Sequence, residues 1–232
     1  MKRPGLLVVV GVLLALPGCV AAPPEAAPPA SLPRTEPTLA ADSARQRAAE
    51  VTMRVRNRLC DGVATGSGFA VGARRLVTNR HVVEGAEELQ LDAWDGRSIS
   101  VAVHRVAYLH DLALIETLDP LPRVAPLAVG DPEPGARVTA VGFPRGGPLT
   151  QTRGKVVDRV PGALGERGRV LRISARVTHG SSGGPLLDAA GRVAGVVYAG
   201  ETRTGYGLAI PVSTLRGLLG DPGLLGVPEP CS

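Results

Sequence analysis

Thr178-His179-Gly180-Ser181-Ser182-Gly183-Gly184-Pro185 is a glycine-flanked serine pair set between two runs that read as β-strands. Glycine on both sides lets the backbone turn sharply and come close to a bound molecule, because no Cβ blocks either conformation. Such a turn presents the Ser182 hydroxyl. It can also aim the backbone N–H groups of Gly180 and Ser182 at one point, where they would stabilise the oxyanion of an acyl-transfer intermediate. Taken alone, the segment reads equally well as a flexible loop. What decides between the two is whether a base and an orienting acid stand elsewhere in the chain.

Outward from this turn, the sequence is a series of short strand-like runs punctuated by Gly, Pro and Asp. Val51–Arg58, Gly66–Val71, Arg75–Thr78, Leu89–Trp94, Ser98–Ala107 and Ala113–Glu116 precede the break Pro120-Leu121-Pro122. Arg137–Gly142, Gln151–Arg159, Val170–Arg176, Pro185–Leu187, Val193–Ala199 and Gly207–Ile210 follow it. Two sets of six predict an all-β domain over 40–232, built as two six-stranded antiparallel barrels over about 51–119 and 123–212. Short helices are expected at Ala40–Glu50 and Ser213–Leu219. With 44% apolar but only 3% aromatic residues, the core must be packed from Val, Leu, Ala and Ile. The glycine-rich segments Arg145-Gly146-Gly147 and Gly162–Arg169 read as mobile loops.

In the first set, the apolar run Leu76-Val77-Thr78 delivers Asn79-Arg80-His81 at its end. An imidazole there, with an ordinary pKa near 6.5, is a competent base at neutral pH. Farther on, His110-Asp111 stands directly before the apolar run Leu112-Ala113-Leu114-Ile115. A buried carboxylate in that place can fix the imidazole tautomer and stabilise the imidazolium formed when a serine proton is taken. His110 is beside Asp111 and is read as loop surface. Each residue has a plainer reading, His81 as a polar strand end and Asp111 as a turn residue. Their order His81, Asp111, Ser182 across the two strand sets is what favours catalysis, because a cleft between two barrels receives groups from both.

That order, with Thr78-Asn79-Arg80-His81-Val82-Val83, Asp111-Leu112-Ala113-Leu114 and Gly180-Ser181-Ser182-Gly183-Gly184-Pro185-Leu186, resembles the signature blocks of trypsin-like serine proteases. The chain is most similar to the bacterial periplasmic branch that includes the HtrA and MarP-type proteases. The resemblance covers roughly Val51 to Ser232. It implies a chymotrypsin-like fold, Ser182 as nucleophile, His81 as base, Asp111 as its orienting acid, and an oxyanion hole from Gly180 and Ser182. It also implies substrate pairing along Tyr198, Ala199 and Gly200, with Gly205–Val212 as the next pocket wall. Ser181 stands where the family usually has Asp or Asn, which leaves open what supports the oxyanion turn. The sequence to Ser232 contains no PDZ segment. Protein or peptide substrates are implied, with no cofactor. The catalytically silent alternative is a protease-fold binding or sensing module.

Tyr198, Ala199, Gly205 and Gly207 leave room for a modest side chain, and no acidic residue in Arg176–Ser181 would favour Lys or Arg, so a small or medium apolar substrate side chain is expected; the alternative is an acidic one, attracted by Arg176 if it points inward. The four histidines and the cysteines show no metal-ligand spacing, so no metal is expected. The net charge of +5 includes Lys2 and Arg3 and is otherwise spread, with no basic stripe interleaved with aromatics, so nucleic acid is not an expected partner.

Met1-Lys2-Arg3, the apolar Leu6–Leu16 and Leu16-Pro17-Gly18-Cys19 read as a lipoprotein-type signal over 1–19. Cys19 would carry the lipid, with plain secretion or an uncleaved anchor as alternatives. Residues 20–39 are a Pro/Ala-rich linker that would hold the domain off the membrane, outside the cytoplasm. Lipidation of Cys19 leaves Cys60 and Cys231, either as two unrelated thiols or as a disulfide. An oxidising compartment favours the bridge, as does the similar pair in MarP-type proteases. Closing a loop of roughly 170 residues would contribute roughly 5 kcal/mol in the chain-entropy account.

Overall fold

The computed structural model describes residues 39–162 and 168–229. Its strands are β1 (Thr52–Arg58), β2 (Val63–Gly72), β3 (Arg75–Thr78), β4 (Glu88–Ala93), β5 (Ser98–Ile99), β6 (Val101–Ala107) and β7 (Leu112–Thr117), then β8 (Arg137–Gly142), β9 (Thr150–Pro161), β10 (Arg169–Ile173), β11 (Pro185–Asp188), β12 (Val193–Gly200) and β13 (Gly207–Pro211). The first seven form one curled antiparallel sheet in the order β5-β4-β1-β2-β3-β7-β6. The other six close into a barrel, β10-β13-β12-β11-β8-β9. The fold is mostly β and chymotrypsin-like, as expected, with one refinement.

The run read as one strand, Ser98–Ala107, is divided at Ser100. Ser100 N–H donates to the Asp119 carboxylate at 2.8 Å and its carbonyl accepts from Leu118 N at 2.8 Å. With both backbone groups engaged there, the chain changes partner, from β4 before Ser100 to β7 after it. The two edges of the first sheet are therefore consecutive parts of one bent strand. That sheet is an open, seven-stranded half-barrel rather than a second closed six-stranded one.

Period-two burial explains how the strands pack. In β1, Met53, Val55 and Asn57 are buried while Arg54 and Arg56 between them are partly exposed. β12 lies between β11 and β13 and is buried over most of its length, consistent with the near-continuous apolar run Val193–Ala199. Met53, Leu76, Leu91 and Ile115 fill the first sheet, and Leu171, Ile173, Leu186 and Ala209 fill the barrel. A third cluster takes Phe69 and Leu112 from one sheet and Val141, Val196 and Ile210 from the other. This shared core joins the sheets and fixes the faces between which the site lies.

Helix α1 (Leu39–Val51) packs Ala48 and Val51 into the shared cluster. A single turn, α2 (Arg80–Val83), follows β3. Helix α3 (Val212–Gly220) buries Val212, Leu215 and Leu218 along one face. Beyond it, the chain returns to the first sheet, where Gly226 bridges Val106 and Tyr108 Oη donates to Val227 O at 2.9 Å. The leader read over 1–19, the linker up to residue 38, and both Cys19 and Cys231 lie outside the described residues, as does most of the Gly162–Arg169 loop.

Candidate active site

His81 is carried by the α2 turn rather than by the strand end. β3 stops at the buried Thr78, and the buried Asn79 then redirects the chain, its Nδ2 donating to Asp111 O at 2.9 Å. Arg80 N–H donates to the same carbonyl at 3.1 Å. Asp111 itself is fully buried and left-handed, with φ 42°, a conformation that Asp tolerates better than most residues. Its carboxylate is committed to His81 twice. Oδ1 accepts from His81 N–H at 3.0 Å and Oδ2 lies 2.7 Å from His81 Nδ1.

An ionised carboxylate can only accept, so Nδ1 carries the ring proton and the neutral imidazole keeps its lone pair on Nε2. The acid is thus wholly out of water while the imidazole edge remains about one-third exposed. Ser182 faces the same cleft of about 690 Å³. Its hydroxyl, however, donates to Tyr198 O at 3.2 Å, and among the described residues no hydrogen bond joins it to His81. His81 and Ser182 therefore line one cleft, with Asp111 buried behind His81 and bonded to it, and Ser182 turned to the β12 carbonyl.

The serine turn is held from three sides. Ser181 N–H closes a turn on Thr178 O at 3.0 Å, and Gly183 N–H ties the turn to Val197 O at 2.7 Å. Gly180 has φ +89°, and a Cβ there would lie 2.5 Å from Phe143 O and 2.6 Å from Arg145 N. Only glycine fits. Arg145 N–H donates to His179 O at 2.7 Å, and in a planar trans peptide the N–H of Gly180 then points the opposite way. Among the described residues, the N–H groups of Gly180 and Ser182 donate to no protein acceptor.

Two residues that sequence reasoning did not place at the serine turn complete it. Ser67, fully buried in β2, donates its hydroxyl to Gly180 O at 2.7 Å and accepts from Phe143 N at 2.9 Å, while its own N–H donates to Ser182 O at 2.7 Å. Arg145 is the second, left-handed at φ 55° in the tight turn Pro144–Gly146. The signal for Ser67 was the segment Gly66-Ser67-Gly68, glycine-flanked like Ser182. Tyr198, Ala199 and Gly200 line the cleft on the β12 side, and Gly205 closes it farther along. Cys60 is exposed in the turn between β1 and β2, remote in sequence from these residues.

The family model described as "Trypsin-like peptidase domain" matches residues 66–196, more than half of the chain. That span runs from the Ser67 segment through His81 and Asp111 to Ser182. The chain belongs to this trypsin-like peptidase domain family. Among relatives of the domain, Serine protease Rv3671c of Mycobacterium tuberculosis is 30% identical over 168 residues, 63% of this chain and 40% of that protein. Serine protease Do-like HtrA of Bacillus subtilis is 32% identical over 171 residues, 66% of this chain and 38% of that protein. The chain thus corresponds to well under half of the length of these relatives.

Solved trypsin-like neighbours agree with the fold. The active form of the M. tuberculosis Rv3671c protease superposes with a TM-score of 0.72 at 25% identity, covering 85% of this chain and 90% of that one. Its inactive form gives 0.69 at 27% identity, covering 80% and 95%. A serine endoprotease from Yersinia pestis gives 0.66 at 27% identity, covering 77% and 65%.

Proposed function

We propose that this trypsin-like domain is a serine endopeptidase acting outside the cytoplasm on protein or peptide substrates. The observation that carries the reading is the buried Asp111 carboxylate bonded at 2.7 Å to Nδ1 of His81, whose imidazole lines the same cleft as Ser182. Rotation of the Ser182 hydroxyl from Tyr198 O to His81 Nε2 completes the catalytic hydrogen bond. Such bonds are often unmade before substrate binds. His81 takes the Ser182 proton as the oxygen attacks the scissile carbonyl, and Asp111 stabilises the imidazolium. The tetrahedral oxyanion accepts from Gly180 N–H and Ser182 N–H. His81 then gives the proton to the leaving amine, and water, activated in the same way, hydrolyses the acyl-enzyme.

Purified protein should degrade an unfolded protein substrate, and Ser182→Ala should not. Folded wild-type protein with no turnover would contradict the assignment. That outcome is the one expected of the second reading, a silent binding or sensing module, which the Ser182–Tyr198 bond favours.

The sequence reading of the N-terminus extends the proposal. Cys19 would carry a lipid that holds the domain at the membrane through the 20–39 linker, and Cys60 would pair with Cys231. The disulfide-bonded state of Cys60 supports the pairing, and so does the return of Gly226 and Val227 to the first sheet. Non-reducing peptide mapping tests the bridge. Loss of membrane fractionation in Cys19→Ala tests the anchor.

A further inference from the structure

The cleft beside Ser182 is markedly cationic. Among the described residues, Arg145, Arg176 and Arg203 line it against a single carboxylate, Glu201. Among the described residues, none of these three guanidinium groups makes a hydrogen bond or an ion pair. The contrast with Arg172, close by, is direct. Its guanidinium is engaged by both Asp158 oxygens, at 2.9 and 2.5 Å, and stacks on Tyr206. Glu201 accepts from Thr204 Oγ1 rather than neutralising an arginine of the cleft.

Arg176 has the most defined placement. Its Nε and Nη2 lie 3.8 and 4.0 Å from where a Gly205 Cβ would stand, so the guanidinium is laid along the Gly205 wall. Val177 O is similarly close to the Cβ position of Gly200, at 2.8 Å. The segment 176–178 therefore forms one side of the pocket whose other side is Tyr198–Gly205. The absence of a side chain at Gly205 leaves the space beside the planar guanidinium unfilled. A guanidinium that has no hydrogen bond or ion pair among the described residues can offer its donor fork to a carboxylate in bidentate geometry.

We propose that the cleft selects peptides with a glutamate or aspartate side chain on the acyl side of the scissile bond, with its carboxylate held by Arg176. Arg145 and Arg203 supply the surrounding positive field, which attracts acidic segments from solution and weakens with salt. The inference rests on the endopeptidase reading for its catalytic consequence. Recognition itself does not require turnover, and the two can be measured apart.

The test has a catalytic and a binding arm. A peptide library differing at one position between Glu and Gln should be cleaved with kcat/KM about tenfold higher for Glu, as expected of a charge-assisted bidentate contact. The preference should shrink at high salt. Arg176→Ala should lose it, and Arg176→Glu should prefer Lys. In the binding arm, Ser182→Ala protein should bind the fluorescent Glu peptide about tenfold more tightly than the Gln peptide, and the added Arg176→Ala change should remove the difference. If Arg176→Ala misfolds, Arg176→Gln replaces it.

Equal cleavage and equal binding of Glu and Gln peptides overturn the inference, as does a preference that survives loss of Arg176. Selective binding without cleavage or labelling of wild type would overturn only the endopeptidase reading. Labelling and cleavage without selectivity would overturn only this one.

Discussion

Ser67 and Gly180, 113 residues apart, are joined by a buried hydrogen bond of 2.7 Å from the Ser67 hydroxyl to the Gly180 carbonyl. The same hydroxyl accepts from Phe143 N, so one side chain of the first sheet holds both the serine turn and the loop that braces it. The turn is thus secured from the other half of the molecule. This supplies the support that Ser181, in place of an acid or amide, left open.

Replacing Ser67 with Ala should leave Phe143 N–H and Gly180 O without their buried partner, costing about 1–3 kcal/mol of stability. The turn would loosen, and kcat/KM should fall by about tenfold or more. This is less than the roughly hundred- to thousandfold loss expected on deleting an oxyanion donor. A purely structural role would change stability alone. Affinity for a peptide boronate, which mimics the tetrahedral intermediate, should fall with kcat/KM while KM changes little.

At Gly180, alanine meets both a strained φ of +89° and the backbone of Phe143 and Arg145. We expect a cost of roughly 1–3 kcal/mol from the strained backbone and near-complete loss of peptide hydrolysis. Thermal unfolding together with a peptide assay checks this. Full activity in Gly180→Ala would contradict the placement of the oxyanion site.

Asp111→Asn keeps the side-chain shape and tolerates the left-handed backbone. Its amide, however, can donate to Nδ1 and so shifts the imidazole proton to Nε2. The rate constant kcat should fall by about ten-thousand-fold with little change in melting temperature. A loss below about tenfold would remove Asp111 from the catalytic group.

His104, on β6, has Nε2 buried without a hydrogen-bond partner, and burial lowers its pKa from the ordinary value. Folding therefore disfavours its charged form, and below about pH 6.5 the unfolded chain binds more protons at this residue. Its contribution to stability is full above that pH and declines as pH falls toward the lowered folded value. Denaturant unfolding at pH 7.5 and pH 5.5 should show a smaller acid-induced loss in His104→Gln than in the native chain. Equal losses would show that His104 is not responsible.

Much of this was legible because its signals are local. The alternation of Met53, Val55 and Asn57 marks a half-buried strand wherever it lies, and the Ser182 segment carries its glycines beside it. Asp111 before an apolar run and His81 after one were likewise readable from a few neighbours. The change of partner at Ser100 was not, because it depends on Leu118 and Asp119 reaching back to its backbone. Nor was the bracing by Arg145, whose Arg-Gly-Gly composition suggested a mobile loop but whose N–H is bonded to His179 O. The Ser67 bond spans two sheets, and no local pattern reports such a contact. The orientation of the Ser182 hydroxyl toward Tyr198 O is a rotamer choice made by the folded cleft alone.

The account stands or falls on Ser182 as a nucleophile activated by His81. Intact-mass analysis and peptide mapping after fluorophosphonate treatment test this directly. The prediction is a single adduct on Ser182, absent from Ser182→Ala and strongly slowed in His81→Ala. A folded protein that forms no adduct, or one that Ser182→Ala still forms, would contradict it.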